Sequence, residues 1–193
     1  AKLAIKEKDE GKSSGLAVQE GLGLHKIQNP NDKQIENLTA NLDGYYRTMN
    51  WDKVFDKDQD GCSLITFFKS CKESATSILL IEDIDGYKFG AFVLKHGKIN
   101  QVSSTAEQLL FTFKDTLEEP KVFDWQVKGD QHQYSNIQQL GVGGSCEKGK
   151  FALWINQDLY KGNSNNVETY NNDILSKETD FKARHIEVWA LSD

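Results

Sequence analysis

The sequence has few residues that could cross-link the chain or ligate a metal. It contains three cysteines and four histidines in 193 residues. The cysteines show no CxxC spacing and cannot all pair with one another, which favours a reducing compartment. The histidines occur singly, without the spaced His or Cys partner of a zinc site. These residues are Cys62, Cys71, Cys146, His25, His96, His132 and His185.

Long apolar runs and an excess of basic charge are also missing. No run approaches the roughly 18 apolar residues of a membrane-spanning helix. The opening segment "AKLAIKEKDEGKSSG" lacks the apolar core of a signal peptide, so we expect a cytoplasmic protein without membrane insertion. The net charge is −6 and the isoelectric point is about 5.3, which argues against nucleic-acid binding.

The composition that remains is that of an ordinary globular domain. Hydrophobic residues make up 38% and charged residues 27% of the chain. Residues 1–23 mix Lys, Glu, Gly and Ser without a sustained period, and we interpret them as a flexible arm or linker. Residues 24–193 are predicted to form a single domain, because the length suits one well-buried core.

The periodicity predicts few helices and many strands. In "NDKQIENLTANL", Ile35, Leu38 and Leu42 recur at helical intervals, and Ser63 is placed to cap a second helix that buries Phe67 and Phe68. A further helix is predicted to start at Ser176.

The strand-like segments are short and separated by turns. "SILLIEDIDGYKFGAFVL" places Asp85-Gly86 between two apolar runs, which is typical of a tight hairpin. "LLFTF", "KVFDWQV", "KFALWI" and "HIEVWAL" follow it. The pattern therefore predicts an α+β, mostly β fold, in which two antiparallel sheets pack face to face with a few short helices.

The stretch "DKDQDG" begins like a calcium loop. Asp56, Asp58 and Asp60 fall at its first, third and fifth positions and Gly61 at the sixth, but the twelfth position is Phe67 instead of a bidentate carboxylate. We therefore expect a turn instead of a metal site. On this interpretation Asp60 and Gly61 make the bend, and the carboxylates of Asp56 and Asp58 are solvated without an assigned role.

Other motifs with chemical potential are also incomplete. "GSCEKGKF" matches the start of a P-loop but ends in Phe151 where Ser or Thr would hold magnesium, and it leads into a strand. Cys146 in this loop is the candidate oxidisable thiol. His185 begins a strand and is interpreted as structural. We accordingly predict no catalytic, cofactor-binding or metal-binding residues and no cofactor, and an enzymatic role is not favoured.

Six segments together resemble a TLDc domain, the module of eukaryotic oxidation-resistance, nuclear-receptor-coactivator and TBC-type proteins. They are "WDKVF…DGCSLITFFKSC", "SILLIEDIDGYKFGAFV", "LLFTF", "VFDW", "LGVGG…FALWINQDLYKGNSNNVETYNND" and "LS…DFKARHIEVWAL", and they extend from about Asn31 to Leu191. The resemblance implies the β-sandwich predicted above. The positions that match the family signature are Asp60, Gly61, Ser63, Leu64, Gly90, Gly143, Gly144, Trp154, Glu168, Glu187 and Trp189.

The resemblance also implies a function. The family is associated with resistance to oxidative stress and with binding the cytosolic V1 sector of the V-ATPase, where members regulate assembly or activity. No established catalytic mechanism belongs to the domain. Where the family often has a cysteine before "ETY", this chain has Val167. A thiol-scavenging role that depends on that cysteine is therefore not expected here.

Three functional hypotheses remain open at this point. The first is a non-catalytic interaction domain that binds V1 subunits, located in the cytoplasm or at the cytosolic face of acidic organelles. The second is a structural component of a larger cytoskeletal or ciliary assembly. The third is a weak enzyme that uses the Cys146 thiol or the carboxylates near Glu168.

Overall fold

The structure is a computed structural model. It describes residues 32–71, 76–93, 101–103, 108–126, 133–145 and 149–192. The predicted arm at residues 1–23, the three histidines before His185, and Cys146 all lie outside these residues. Within the described part of the chain, the helices are too short or too polar to cross a bilayer.

The described residues form short helices and eleven strands. The helices are α1 (Asp32–Thr39), α2 (Gly44–Arg47), α3 (Lys57–Asp60) and α4 (Leu64–Ser70). The strands are β1 (Trp51–Asp56), β2 (Ser77–Asp83), β3 (Lys88–Val93), β4 (Gln101–Ser103), β5 (Leu109–Thr112), β6 (Lys121–Asp124), β7 (Gln133–Asn136), β8 (Gln139–Ser145), β9 (Lys150–Asn156), β10 (Lys161–Asn163) and β11 (Asp180–Leu191).

The strand ladder is antiparallel throughout and continuous. Its order is β4-β7-β8-β9-β10-β11-β2-β3-β5-β6, and β1 adds to β11. β11 is twelve residues long and joins the two halves of the ladder, one from β4 to β10 and the other from β2 to β6. Its first part pairs with β10, and its later part pairs with β2 and β1. The α+β, mostly β class is confirmed, and the two predicted layers share this one strand.

The two halves meet through a central core. This core contains side chains from β2, β3 and β5 on one side and from β8 and β9 on the other, together with Phe67 and Phe68 of α4. A second cluster lies on the opposite face of β2, β3 and β5, where it is covered by Ile35 and Leu38 of α1 and by Leu42, three residues beyond that helix. The predicted apolar faces of both helices are therefore confirmed.

Local sequence signals explain two of the connections. The Ser63 hydroxyl accepts a hydrogen bond from Ile65 N at the start of α4, as an N-cap does. In the β2–β3 hairpin, Gly86 has φ +87°, a left-handed conformation that glycine adopts without strain.

The helix predicted to start at Ser176 does not form. The Ser176 hydroxyl donates instead to the buried carboxylate of Asp83, and the chain enters β11 four residues later. Ser176 has the residue type of a helix cap, but its hydroxyl binds a side chain on a strand that is distant in sequence.

Helix α3 lies where strand pairing along one edge of β11 is interrupted. On that edge β10 ends its pairing at Lys182 and β1 begins its pairing at Glu187, and a β-bulge lies between Ala183 and His185. The buried Lys57 ammonium donates to the carbonyl oxygens of Ala183 at 2.9 Å and Arg184 at 3.4 Å. The Lys57 side chain thus supplies hydrogen bonds to carbonyl oxygens that do not pair with a neighbouring strand. Buried backbone groups at a sheet edge need such partners.

Gly90 should tolerate no larger residue. A Cβ at this position would lie 1.8 Å from Leu79 O and 2.9 Å from the Phe111 ring. We expect Gly90→Ala to lower the free energy of unfolding by about 2 kcal/mol or more through overpacking, measured by urea denaturation. Gly44→Ala, where a Cβ would meet nothing within 4 Å, is the matched control. Equal stability of the two variants would contradict this close approach.

Candidate functional site

The strongest concentration of interacting charges lies where β1, α3 and β11 meet. Asp56, the last residue of β1, lies directly opposite Glu187 of β11, and Lys53 lies opposite Trp189. His185 precedes Glu187 by two positions and therefore shares its face of the strand. We call Lys53, Asp56, Asp58, His185 and Glu187 the ion cluster.

Glu187 is the fixed centre of the ion cluster. Its side chain is fully buried, yet both carboxylate oxygens have donors. Oε1 lies 3.2 Å from Lys53 Nζ and 3.1 Å from His185 Nε2, and Oε2 accepts from Trp189 Nε1 at 3.0 Å. A buried carboxylate is tolerated only with such compensation.

Asp56 links the ion cluster to helix α3. Its Oδ2 lies 2.7 Å from Lys53 Nζ, and its Oδ1 accepts from Asp58 N as the N-cap of α3. Burial alone would raise the pKa of Asp56, but the hydrogen bonds from Lys53 and Asp58 N and the nearby positive charges lower it. Burial alone would lower the pKa of Lys53, but Asp56 and Glu187 together raise it. Both groups are therefore held in their charged forms.

His185 has a carboxylate at each ring nitrogen. Nε2 faces Glu187, and Nδ1 lies 2.8 Å from Asp58 Oδ2 of α3. The hydrogen bond to Glu187 raises the pKa of His185; burial opposes this, and the negative charges of Glu187, Asp58 and Asp56 add to it. The folded protein thus binds the proton on His185 more tightly than an isolated histidine does.

The expectation that Asp56 is solvated was wrong; Asp58 is exposed as expected, but neither carboxylate is without a partner. Asp56 is buried and bonded to two elements, and the Asp58 carboxylate, although 71% exposed, contacts His185. The predicted turn contains the short helix α3, which ends at Asp60, and Asp60 Oδ2 accepts from Asp56 N at 2.8 Å. The aspartates of "DKDQDG" therefore bind partners within the protein.

The ion cluster does not suit a divalent cation. Asp56, His185 and Glu187 do approach one another within 4.8 Å through one side-chain atom each. However, the Lys53 ammonium already lies against both carboxylates, and it supplies the positive charge that a metal would bring. The arrangement fits an internal ion network.

The other signature positions have mainly packing roles. Gly143 and Gly144 have φ of +66° and +88°, and Gly144 N donates to Thr169 Oγ1, which holds the segment next to the exposed Glu168. Trp154 donates to Gln139 Oε1 at 2.8 Å across β8 and β9. The structure therefore joins Glu187 and Trp189 by a hydrogen bond, links Asp60 to the ion cluster through Asp56 N, and shows no contact of Glu168 with them among the described residues.

Of the cysteines, Cys62 is exposed and Cys71 is buried. Burial raises the pKa of the Cys71 thiol to about 12, so it carries no thiolate near neutral pH. The prediction that Cys146 is oxidisable concerns a residue outside the described part of the chain.

Sequence reasoning missed the role of Lys53 and His185 as members of the ion cluster. Each has one partner nearby in sequence, but the contacts that join β1 and α3 to β11 are distant, since Lys53 and Glu187 are 134 residues apart. A detectable signal was the "HIE" triplet in β11, because alternate strand residues share one face. It indicates a His–Glu pair but not the strand that faces it.

Comparisons with known proteins place this geometry in context. A family model described as "TLDc domain" matches residues 26–192. Human nuclear receptor coactivator 7 is 35% identical over 159 residues, which are 81% of this chain and 16% of that protein. Oxidation resistance protein 1 of Xenopus tropicalis is 37% identical over 166 residues, covering 82% of this chain and 18% of that protein. The chain thus spans less than a fifth of these curated relatives.

Removing the Lys53 ammonium should destabilise the fold. Lys53→Met would leave Asp56 and the buried Glu187 without their shared cation, and we expect a loss of about 2–3 kcal/mol in the free energy of unfolding. Lys33→Met is the control, because Lys33 forms an exposed pair with Glu36 at 4.0 Å and should change stability by less than about 1 kcal/mol. Urea denaturation measures both variants; indistinguishable midpoints would show that the ammonium is not needed.

Proposed function

The chain belongs to the TLDc domain family, and from this premise we propose that it is a non-catalytic interaction domain that binds the cytosolic V1 sector of the V-ATPase and regulates the assembly or activity of the pump. The observation that supports this proposal is the match to the TLDc family model over residues 26–192. The family is associated with the V1 sector, and we extend that association to this chain. The similarity to oxidation resistance protein 1 supports a further link to resistance against oxidative stress. The proposed location is the cytoplasm, including the cytosolic face of acidic organelles.

A surface suited to a protein partner lies at one end of the sandwich. Three neighbouring turns meet there. The β7–β8 turn lies beside the end of β9. The β9–β10 and β2–β3 turns form backbone hydrogen bonds with consecutive residues of β11. Each turn carries a large exposed apolar side chain, and the start of α4 adds another through the hydrogen bond from Leu64 N to Gln157 O. We call this set the apolar rim: Ile65, Ile84, Ile137 and Tyr160.

The β9–β10 turn, which carries Tyr160 of the apolar rim, is fixed by its surroundings. Leu159 in the β9–β10 turn has φ +51° and is fully buried, a conformation that its surroundings must enforce. Asn156 Oδ1 accepts from Tyr160 N and Lys161 N, which closes the turn. Grouped apolar side chains on rigid turns are typical of protein-binding surfaces.

The chemistry of the described residues does not favour an enzyme. The ion cluster is internally paired, and the Cys71 thiol is protonated near neutral pH. Glu168 is exposed on a segment that Gly144 and Thr169 hold in place. Binding therefore accounts for the domain better than acid–base or thiol catalysis does.

Binding to V1 should depend on the apolar rim. We expect the double variant Ile84→Asp/Ile137→Asp to bind purified V1 sector at least about tenfold more weakly than the unaltered chain, because two exposed apolar contacts become charged. Tyr45→Asp is the control, since Tyr45 is 64% exposed but lies before β1 at the opposite end of the sandwich. Biolayer interferometry with immobilised V1 measures the three affinities.

The outcomes separate the two parts of this proposal. Loss of binding in the double variant with retention in Tyr45→Asp supports both V1 binding and the location of the surface. Equal binding by all variants would refute the location, and no binding by the unaltered chain would refute the V1 proposal. Enrichment of a cytoskeletal or ciliary complex by the same chain would favour the structural alternative.

Protection against oxidants should not require a reactive side chain. We expect cells that express Cys146→Ser or Glu168→Gln to survive hydrogen peroxide as well as cells that express the unaltered chain, when protein levels are matched. The reason is that the proposed function operates through binding. A severalfold loss of survival in either variant would instead favour the enzymatic alternative.

A further inference from the structure

We propose that His185 is a proton-binding switch that controls how firmly helix α3 is attached to strand β11. The inference is carried by the placement of its ring between a fully buried carboxylate on its own strand and an exposed carboxylate on α3. It goes beyond the proposed function and does not depend on which partner the domain binds.

The two contacts of the ring require two protons. Nδ1 lies 2.8 Å from Asp58 Oδ2, and Nε2 lies 3.1 Å from Glu187 Oε1. Nε2 is hydrogen-bonded to Glu187 and Nδ1 forms an ion pair with Asp58; a carboxylate oxygen presents only lone pairs, so each contact is favourable when the nitrogen carries a proton. A neutral imidazole has one N–H group, and it would place a nitrogen lone pair against one of the two carboxylates. Loss of a single proton therefore breaks one contact.

The contact with Asp58 is the one that breaks. Glu187 is fully buried and cannot turn toward water, whereas the Asp58 side chain is 71% exposed and can be hydrated without moving the backbone far. The remaining N–H group thus stays on Nε2 with Glu187, because a nitrogen lone pair against a buried carboxylate oxygen is more costly than a surface carboxylate that water can hydrate. Deprotonation releases α3 and leaves β11 in place.

The charged groups around His185 act from several elements. Lys53 and Asp56 face it from β1, Asp58 from α3 and Glu187 from β11. Glu82 of β2 lies directly opposite His185 and is paired with Arg184 and with Lys88 of β3. Lys53 carries one positive charge and faces the two negative charges of Asp56 and Glu187. A positive charge on His185 therefore brings the net charge of the ion cluster closer to zero.

Helix α3 is a suitable element to respond. It is four residues long, and its side chains hold it to β11 through Asp58 and through the bonds of Lys57 to Ala183 O and Arg184 O. The Lys57 ammonium also lies 5.8 Å from the centre of the Tyr160 ring, which belongs to the apolar rim. A change at His185 can therefore affect the apolar rim through the contacts of α3 with His185 and with Tyr160.

The pH dependence follows from the sign of the shift. The pKa of His185 is raised in the folded state above its ordinary value of about 6.5, so the folded protein binds the proton more tightly than the unfolded chain. The stabilisation is fully present below about pH 6.5 and is lost as the pH rises through the folded pKa. Loosening of α3 is expected over the same interval.

A nuclear magnetic resonance titration of the free ¹⁵N-labelled protein between about pH 5 and pH 9 tests the switch. The His185 ring signals are identified by their loss in His185→Gln. We expect the backbone amide signals of residues 57–62 to move with the same midpoint as the His185 ring, and their hydrogen exchange to accelerate above that midpoint. In Asp58→Asn the midpoint should shift to lower pH, and these amides should cease to follow it.

The matched control is Asp43→Asn, which removes an exposed carboxylate before α2 and should leave the titration unchanged. A ring that titrates while residues 57–62 do not respond would overturn the proposal. An unchanged midpoint in Asp58→Asn, or a ring that does not titrate in this range, would also overturn it. Since V1 is absent from these measurements, their failure is distinct from failure of the proposed function.

Discussion

The pairing of β11 is the constraint on which the rest of the structure depends. This strand belongs to both halves of the ladder, with β10 on its first part and β2 and β1 on its later part. Its inward side chains Phe181, Ile186 and Val188 contribute to the central core. A strand that changes partners along its length must leave backbone groups unpaired where the change occurs, and such groups must find other partners when they are buried.

The chain solves this problem with side chains from "DKDQDG". Lys57 donates to the carbonyl oxygens beside the bulge, and Asp56 caps the short helix that carries Lys57. Just beyond the bulge, the Lys53 ammonium joins Asp56 and Glu187 across β1 and β11. Each of these charged side chains contacts a backbone group or another charge. The result is a specific register between two strands that lie far apart in sequence.

Much of the fold could be predicted from local patterns, and the ion cluster could not. Ser63 as a cap and Phe67 as a core residue depend on neighbours within a few positions, so their roles were visible in the sequence. In the sequence, Asp56 resembles a solvated turn residue. Its role becomes visible only in the structure, where Lys53 joins it to Glu187. Ser176 illustrates the same limit, because its hydroxyl caps no helix and instead donates to Asp83, 93 residues away.

The position of the ion cluster gives it consequences beyond stability. Its exposed member, Asp58, lies on the same four-residue helix as Lys57, and Lys57 faces the Tyr160 ring of the apolar rim. Glu187 is held by Lys53 and Trp189 whatever the state of His185, so a proton gained or lost changes the contact with α3 before it changes the sheet. A rigid strand on one side and a short, partly exposed helix on the other make the cluster asymmetric. That asymmetry allows a titratable group to influence a surface turn while the core remains intact.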